Sequence, residues 1–204
     1  AIHKRIIYPQ VTLTQESRMQ TQSNQWRSLI QAEPTLSTAL FGWLSNPRSL
    51  TQHLNQQFPT VHYQLVQSHL GPIDSEENSL SSFQPASDNA WTRQVLFSLD
   101  NHPLVFSKAV IPMNTSQPFG SSLNHFGARP LGELLFAENT DKRQHIEIAV
   151  IDHACPYFAL AERYIVESLD RLVVRRSVCF YQTLPILIID MFLPTLITFI
   201  NERS

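Results

Sequence analysis

Asp190 is the residue of this chain whose presence packing explains least. It lies within residues 184–194, the most apolar run of the sequence. A carboxylate that loses its water there costs free energy unless a partner or a ligand compensates. We therefore expect Asp190 to face either a buried cation or a bound molecule.

Two cations on other apolar stretches are candidates to meet this carboxylate. In residues 91–99 apolar and polar side chains alternate, and Arg93 falls on the apolar side. In residues 104–111, Lys108 shares a face with leucine, phenylalanine and valine side chains. Two cations and one carboxylate that point into apolar surroundings favour a cavity for a small anionic ligand. The alternative is a structural ion pair between Asp190 and Arg93, although such buried pairs are poor stabilisers.

A second source of positive charge is the adjacent pair Arg175 and Arg176 in a predicted strand. Successive residues of a strand point to opposite faces. One of the two arginines is therefore expected to point inward and the other to lie at the surface. The pattern of their apolar neighbours leaves open which is which.

Other polar groups of the sequence form no recognisable site. Four potential metal ligands lie close together in the chain: His145, Glu147, Asp152 and His153. No second cluster in the sequence completes a metal site, so a solvated strand edge or turn is the better interpretation. Cys155 and Cys179 lack metal-ligand spacing, and both fit reduced thiols. We therefore predict no metal.

Composition places the chain among globular proteins. Its 204 residues suit one domain, and we predict a polar N-terminal segment at 1–23 before a single domain at 24–204. The net charge of −2 provides no basic field for nucleic acid. Residues 184–200 are too short and carry two prolines and an acid, so no membrane insertion is expected. Reduced cysteines and the lack of a secretory pattern predict a cytoplasmic protein.

The elements that must position these side chains are about six strands, mostly joined as hairpins. The strands are predicted at 61–70, 91–99, 104–111, 144–151, 173–181 and 185–193, and the helices at 35–44, 49–58, 130–136 and 157–169. Residues 71–89 form a long loop, which in a compact domain is often a lid. The last strand is expected to run into a C-terminal tail. Together these elements predict an α+β fold built on a six-stranded antiparallel sheet.

Four pieces of the sequence carry a family likeness. They are Trp43-Leu44 with Ser49-Leu50-Thr51; Trp91-Thr92-Arg93-Gln94-Val95-Leu96 with Ser107-Lys108-Ala109-Val110-Ile111-Pro112; Pro130-Leu131-Gly132-Glu133-Leu134-Leu135-Phe136 after Phe126-Gly127; and Arg175-Arg176-Ser177 followed by Asp190-Met191-Phe192-Leu193-Pro194. In this order they resemble the chorismate pyruvate-lyase family over about residues 41–194.

The resemblance implies an enzyme that converts chorismate to 4-hydroxybenzoate and pyruvate without metal or organic cofactor. The product of such an enzyme supplies the ring precursor for quinone-type biosynthesis. The resemblance also implies that helices cover an internal ligand cavity of the sheet. A dry cavity matched to the product predicts tight product retention, with the loop 71–89 and the helices of 35–58 as candidate flaps.

The family's site residues carry over by motif. Arg93 would bind the ring carboxylate, and Asp190 would meet the hydroxyl end of the product, the end that carried the enolpyruvyl ether. Leu50 and Leu131 would line the pocket and offer backbone amides. Lys108 falls where the family usually has an arginine at the gate, and it replaces a planar guanidinium with a point charge. Asp190 is one methylene shorter than the family's glutamate.

Chorismate carries two carboxylates, and the basic residues suit such a ligand. Arg93 can clamp one carboxylate in bidentate fashion, and Lys108 or Arg176 can hold the other. Aromatisation drives the reaction, so the protein needs orientation and water exclusion more than a strong nucleophile. We expect an ionised Asp190 opposite Arg93, at the far end of an aromatic-sized cavity, where it polarises the ether end of the ring.

Two other functions are compatible with the same residues. One is a non-catalytic sensor of aromatic acids on the same fold, although the first 60 residues lack the basic recognition helix of a winged-helix domain. The other is a structural interaction domain, which predicts no cavity between Asp190 and Arg93. The lyase interpretation predicts chorismate and 4-hydroxybenzoate as the partners of a monomer, with no nucleic acid.

Overall fold

The structure is a computed structural model. It describes residues 24–116, 131, 143–166, 168–181 and 183–202. The predicted N-terminal segment 1–23 lies outside the described residues. So does the predicted helix 130–136, apart from Leu131.

The described residues form an α+β fold around one antiparallel sheet of seven strands, in the order β1-β5-β6-β7-β4-β3-β2. The strands are β1 Arg27–Ser28, β2 His62–Pro72, β3 Asn89–Leu99, β4 His102–Pro112, β5 Arg143–Ile151, β6 Leu172–Tyr181 and β7 Leu184–Phe192. The prediction of six strands was therefore one short. The additional strand β1 has only two residues, paired with Ile148 and Glu147 of β5, and two residues are too few to give an alternating pattern.

The helices of the described residues are short. They are α1 Leu29–Ala32, α2 Thr38–Ser45, α3 Leu50–Gln57, α4 Ser75–Asn78, α5 Met113–Ser116, α6 Pro156–Glu162 and α7 Pro194–Glu202, with a 3-10 turn at Glu33–Thr35. Serine side chains cap α2 and α3, since Ser37 Oγ accepts from the Leu40 amide and Ser49 Oγ from the Gln52 amide. None of these helices is long and apolar enough to cross a membrane.

The C-terminal stretch differs from its prediction as a tail. It forms the helix α7, which begins at Pro194. Proline suits the first helical position, because its ring fixes a helical φ and its missing N–H would have no partner there. Leu196 and Ile200, four residues apart, are the buried residues of α7. The predicted loop 71–89 likewise contains the one-turn helix α4.

Both faces of the sheet are covered, which explains why its central strands are apolar on both sides. On one face, here called the α6 face, Leu96, Phe106 and Val174 pack with Tyr157 and Phe158 of α6. A sheet face covered by a helix must be apolar, so the period-two pattern of these strands is weak. The pattern alone therefore does not show which face holds a site.

The opposite face of the sheet, here called the α2–α3 face, carries a second apolar cluster. Phe97 and Val105 pack there with Leu44 of α2, Leu54 of α3 and Leu196 of α7. The connection between α2 and α3 and the first turn of α3 consequently lie over the middle of the sheet. This is the region in which β3, β4 and β7 run side by side.

Candidate active site

The register of the central strands places Arg93 and Asp190 on the same face of the sheet. Asp190 of β7 lies opposite Ser107 of β4 and Arg175 of β6. Ser107 in turn lies opposite Val95 of β3, two residues from Arg93. Since residues two apart on a strand share a face, both Arg93 and Asp190 point to the α2–α3 face. One strand, β4, separates them.

A cavity lies on this face, under the first turn of α3. Its lining includes four residues that the sequence predicted, Leu50, Arg93, Leu131 and Asp190, together with Arg143, which it did not. The cavity volume is about 40 Å³. A dry cavity that binds benzene has about 150 Å³. A cavity therefore lies between Arg93 and Asp190, as expected, but its volume is too small for an aromatic acid.

Asp190 is held by two arginines and a serine. Its Oδ2 accepts from Arg175 Nη2 at 2.7 Å and Nε at 3.2 Å, and from Arg143 Nη1 at 3.3 Å. Its Oδ1 accepts from Ser107 Oγ at 2.8 Å. The alternative of a structural pair between Asp190 and Arg93 is thus wrong in its partner, because the ion pairs of Asp190 within the described residues are with Arg175 and Arg143.

These charges keep Asp190 ionised in spite of its burial. Burial raises the pKa of Asp190, but the charges of Arg175 and Arg143 outweigh it and hold the pKa below its ordinary value. Burial and the charge of Arg143 lower the pKa of Arg175 to about 10, which leaves it charged at neutral pH. Burial also lowers the pKa of Arg93. The cavity therefore presents a carboxylate as an acceptor and guanidinium groups as donors.

Arg175 also ties this carboxylate to the helices above the cavity. Its Nη1 donates to the backbone oxygens of Trp43, Leu44 and Asn46, at 3.4, 3.2 and 3.3 Å. These carbonyls lie at the end of α2, where they have no partner within the helix. Ser49, the N-cap of α3 and part of the cavity lining, follows three residues after Asn46. One guanidinium thus positions both Asp190 and the connection that covers it.

The prediction that one of the adjacent arginines lies at the surface was wrong. Arg175 is 1% exposed and Arg176 is 4% exposed, one on each face of the sheet. Strand alternation was correct in sending them to opposite faces. It could not show that helices and loops cover both faces.

Arg143 is a charged cavity residue that sequence reasoning missed. It begins β5, opposite Cys179 of β6, and its Nη1 donates to Ser177 Oγ at 2.5 Å as well as to Asp190. Its Nε is buried and has no hydrogen-bond partner among the described residues. The predicted strand started one residue later, at Gln144, and the neighbours of Arg143 in the sequence are polar. No local pattern therefore marked this arginine as buried.

Lys108 does not line the cavity, contrary to its predicted place in the ligand site. It lies opposite Gln94 of β3 and Ile189 of β7, in a row on the α6 face. Its Nζ forms an ion pair with Glu77 in α4 and a second one with Asp74 at 3.3 Å. Lys108 is therefore committed to fixing the segment around α4, on the far side of the sheet.

Arg176 lies in the same row on the α6 face, and its predicted placement in the cavity is corrected in the same way. Its Nε and Nη2 each lie 2.7 Å from Glu147 Oε2, and its Nη1 donates to Ser79 Oγ at 2.8 Å. Its guanidinium carbon lies 4.2 Å from the centre of the Trp26 ring. Glu147, one of the potential metal ligands, is thus engaged by an arginine.

Asp152 and His153, two more of the potential metal ligands, each contact a different partner. Asp152 accepts a hydrogen bond from Asn24 Nδ2 at 2.8 Å, and His153 Nδ1 lies 3.8 Å from Glu162. In the part of the chain that the structure describes, no three histidine, cysteine or acidic side chains come together as a metal site.

Comparisons with known proteins point to one family. The sequence profile of the family described as chorismate lyase matches residues 19–203. The chain is 31% identical over 156 residues to the "probable chorismate pyruvate-lyase" of Coxiella burnetii, covering 76% of this chain and 82% of that protein. It is also 31% identical over 160 residues to the protein of the same name from Thiobacillus denitrificans, covering 78% and 84% of the two chains.

Among solved structures, the chain is similar to effector domains of bacterial regulators. The effector domain of PhnF from Mycobacterium smegmatis gives a TM-score of 0.49 at 12% identity, covering 72% of this chain and 89% of that one. The effector-binding domain of the trehalose repressor from Bacillus subtilis gives 0.47 at 11% identity, covering 64% and 88%. A likeness of this degree says nothing about function.

Proposed function

Because the chain belongs to the chorismate lyase family, we propose that it converts chorismate to 4-hydroxybenzoate and pyruvate. The observation that carries this proposal is that a guanidinium and a carboxylate, Arg93 and Asp190, line one buried cavity from strands separated by β4. Two groups of opposite charge at separate positions suit a ligand with a carboxylate at one end and a hydroxyl at the other. The product then supplies the ring precursor for quinone-type biosynthesis.

Arg93 binds the ring carboxylate in this proposal. It is 2% exposed, so a carboxylate that reaches it leaves water and interacts at reduced dielectric. A guanidinium presents parallel N–H groups that match the two oxygens of a carboxylate, which fixes the ring orientation as well as its position. The ring is thereby aligned along the sheet, with its hydroxyl end toward β7.

Asp190 receives the hydroxyl end of the ring. Its Oδ2 is occupied by Arg175 and Arg143, whereas its Oδ1 accepts from Ser107 alone among the described residues. A carboxylate oxygen has two lone pairs, so Oδ1 retains one acceptor position for a ligand hydroxyl. Because the pKa of Asp190 is lowered, the group acts as an ionised acceptor. That hydrogen bond from the hydroxyl to Asp190 Oδ1 holds the hydroxyl end of the ring in place and polarises it while the ring becomes aromatic.

The bond changes need little chemical assistance from the protein. The ring C–O bond to the enolpyruvyl group breaks, and the hydroxyl-bearing ring carbon loses a proton as the ring becomes aromatic. The released enolpyruvate takes up one proton at its methylene carbon and becomes pyruvate, so no oxidant or reductant is needed. Formation of the aromatic ring supplies the driving force, so the proposed reaction uses neither a metal nor an organic cofactor. The contribution of the chain is to orient chorismate and to exclude water from it.

Entry of the ligand requires part of the cavity boundary to move. A volume of about 40 Å³ does not admit a six-membered ring. Of the two candidate flaps, the helices of residues 35–58 contribute Ser49, Leu50 and Thr51 to the lining, whereas the loop 71–89 is fixed to the α6 face through Lys108. We therefore assign the flap to α2, α3 and their connection. Slow opening of this flap accounts for the expected product inhibition.

The test is incubation of the purified chain with chorismate. Pyruvate is followed by coupling to lactate dehydrogenase, and 4-hydroxybenzoate is measured by chromatography; the two are expected in equal amounts. The variant Arg93→Gln should lose turnover and 4-hydroxybenzoate binding. The matched control Arg171→Gln, at an exposed arginine, should keep both. Binding of 4-hydroxybenzoate without turnover contradicts the lyase proposal and supports the sensor alternative.

A further inference from the structure

We propose that Arg143 binds the enolpyruvyl carboxylate of the substrate, and that it thereby distinguishes the dianionic substrate from the monoanionic product. This inference rests on the proposed function and deepens it. The sequence suggested Lys108 or Arg176 for the second carboxylate, but both face away from the cavity and pair with Glu77 and Glu147. The second carboxylate therefore needs another cation.

Arg143 has a buried donor that is aimed at no acceptor. Its side chain is 2% exposed and lines the cavity, and its Nε has no hydrogen-bond partner among the described residues. A buried guanidinium N–H that is left unpaired costs free energy, and few such groups remain in folded proteins unless water, an ion or a ligand completes them. A carboxylate oxygen is the acceptor that a guanidinium binds best.

The position of Arg143 matches the second carboxylate of chorismate. Its Nη1 lies 3.3 Å from Asp190 Oδ2, so it stands at the end of the cavity that receives the ring hydroxyl. The enolpyruvyl ether is carried by the ring carbon next to that hydroxyl. A carboxylate on this arm therefore comes close to Arg143, while the ring carboxylate reaches Arg93 on the other side of β4.

The charges around the cavity agree with a dianionic ligand. Among the described residues, Arg143 and Arg175 share the single carboxylate of Asp190, which leaves one positive charge in excess at this end of the cavity for the second carboxylate of a ligand. Chorismate brings two negative charges, and 4-hydroxybenzoate with an intact hydroxyl brings one. Once the enolpyruvyl arm is released, Arg143 loses its partner again, and the product is held through Arg93 and Asp190.

The first experiment compares substrate and product in one variant. Arg143→Gln should raise the KM for chorismate about 10- to 100-fold, the range expected for one charge-assisted hydrogen bond. The inhibition constant of 4-hydroxybenzoate should change less than about threefold, because the product lacks the second carboxylate. Arg143→Lys, which keeps the charge, should recover part of the loss. If the KM for chorismate and the inhibition constant of 4-hydroxybenzoate rise by the same factor, or if the KM is unchanged, the inference is overturned and Arg143 has a structural role.

The second experiment uses the unaltered chain, so it does not depend on whether a variant folds. Calorimetry compares 4-hydroxy-3-methoxybenzoate with 3-(carboxymethoxy)-4-hydroxybenzoate, which differ by a carboxylate on the arm beside the hydroxyl. The dianion should bind at least about tenfold more tightly. Equal or weaker binding of the dianion would refute the role of Arg143. Absence of turnover with chorismate would instead refute the lyase proposal, so the two failures are distinguishable.

Discussion

Replacement of Arg175 by methionine tests how the buried carboxylate is held. Methionine is close in length, but it removes the three donors on which Asp190 and the end of α2 depend. Asp190, 1% exposed, would keep Arg143 and Ser107 but lose its shortest ion pair, the 2.7 Å contact with Arg175 Nη2. Three backbone oxygens, those of Trp43, Leu44 and Asn46, would lose a shared donor at the same time.

The magnitude follows from these two losses. Removing one partner of a buried ion pair costs about 3–5 kcal/mol, because the other charge remains desolvated. The long contacts to the carbonyls of α2 add about 1 kcal/mol between them. We therefore expect Arg175→Met to lower the free energy of unfolding by about 4–6 kcal/mol, out of the 5–15 kcal/mol typical of a domain.

Urea denaturation at pH 7 measures this change. The exposed variant Arg171→Met is the matched control, and it should alter the free energy of unfolding by less than about 0.5 kcal/mol. A loss below about 1 kcal/mol for Arg175→Met would refute the argument that a buried charge is being compensated.

The dependence on pH gives the same test with a definite sign. In the unaltered chain the pKa of Asp190 is lowered, so its stabilising contribution is complete above the unfolded pKa of about 3.9 and is lost as the pH falls through the folded value. Without Arg175, less positive charge opposes the effect of burial, so the pKa of Asp190 rises. The stability deficit of Arg175→Met should therefore shrink as the pH falls from 7 toward 4. A deficit that stays constant over this range would contradict the assignment.

Three further predictions concern the two faces of the sheet. Arg93→Lys should weaken 4-hydroxybenzoate binding about tenfold in calorimetry, because a point charge replaces a bidentate clamp; affinity within twofold of the parent would exclude that clamp. Because the charges of Arg175 and Arg143 hold the pKa of Asp190 below its ordinary value, kcat/KM for chorismate should be flat from about pH 5 to 8, and an acid limb above pH 5 would show that this carboxylate is not ionised as inferred. Lys108→Met should lower the free energy of unfolding by about 3–5 kcal/mol, because the buried Glu77 loses its ion pair. At a temperature where the variant is folded, its affinity for 4-hydroxybenzoate should stay within twofold. A larger change in affinity would contradict the separation of the two faces.

The local patterns of the sequence were sufficient for the strands that carry the site. Apolar alternation predicted β3 and β4, and the family motif placed Arg93 and Asp190 where both come to line one cavity. Strand periodicity also correctly placed Lys108 on the same face of the sheet as Phe106 and Val110, whereas Leu104, expected on that face as well, packs in the cluster of the α2–α3 face. These inferences depend only on neighbours within a few residues.

Where the sequence failed, the missing information was whether a second element covers a given face. The apolar run after residue 193 is compatible with a strand, a tail or a buried helix. In the structure this run packs against α2 and β4 as the helix α7. From its own strand alone, Arg176 could lie at the surface. In the structure, Ser79, next to α4, and the ring of Trp26 cover it.

Local sequence patterns were enough to identify the charged groups and most of the strands that carry them, because side-chain alternation acts between near neighbours. Which of these charges meet depends on the fold as a whole. Arg175 and Arg143 reach Asp190 across 15 and 47 residues of chain, through the register of β5, β6 and β7. Register depends on the packing of both sheet faces at once, and a shift of one residue would exchange the faces. That is why Arg143, in a polar stretch of sequence, lies in the cavity, and Lys108, in an apolar one, does not.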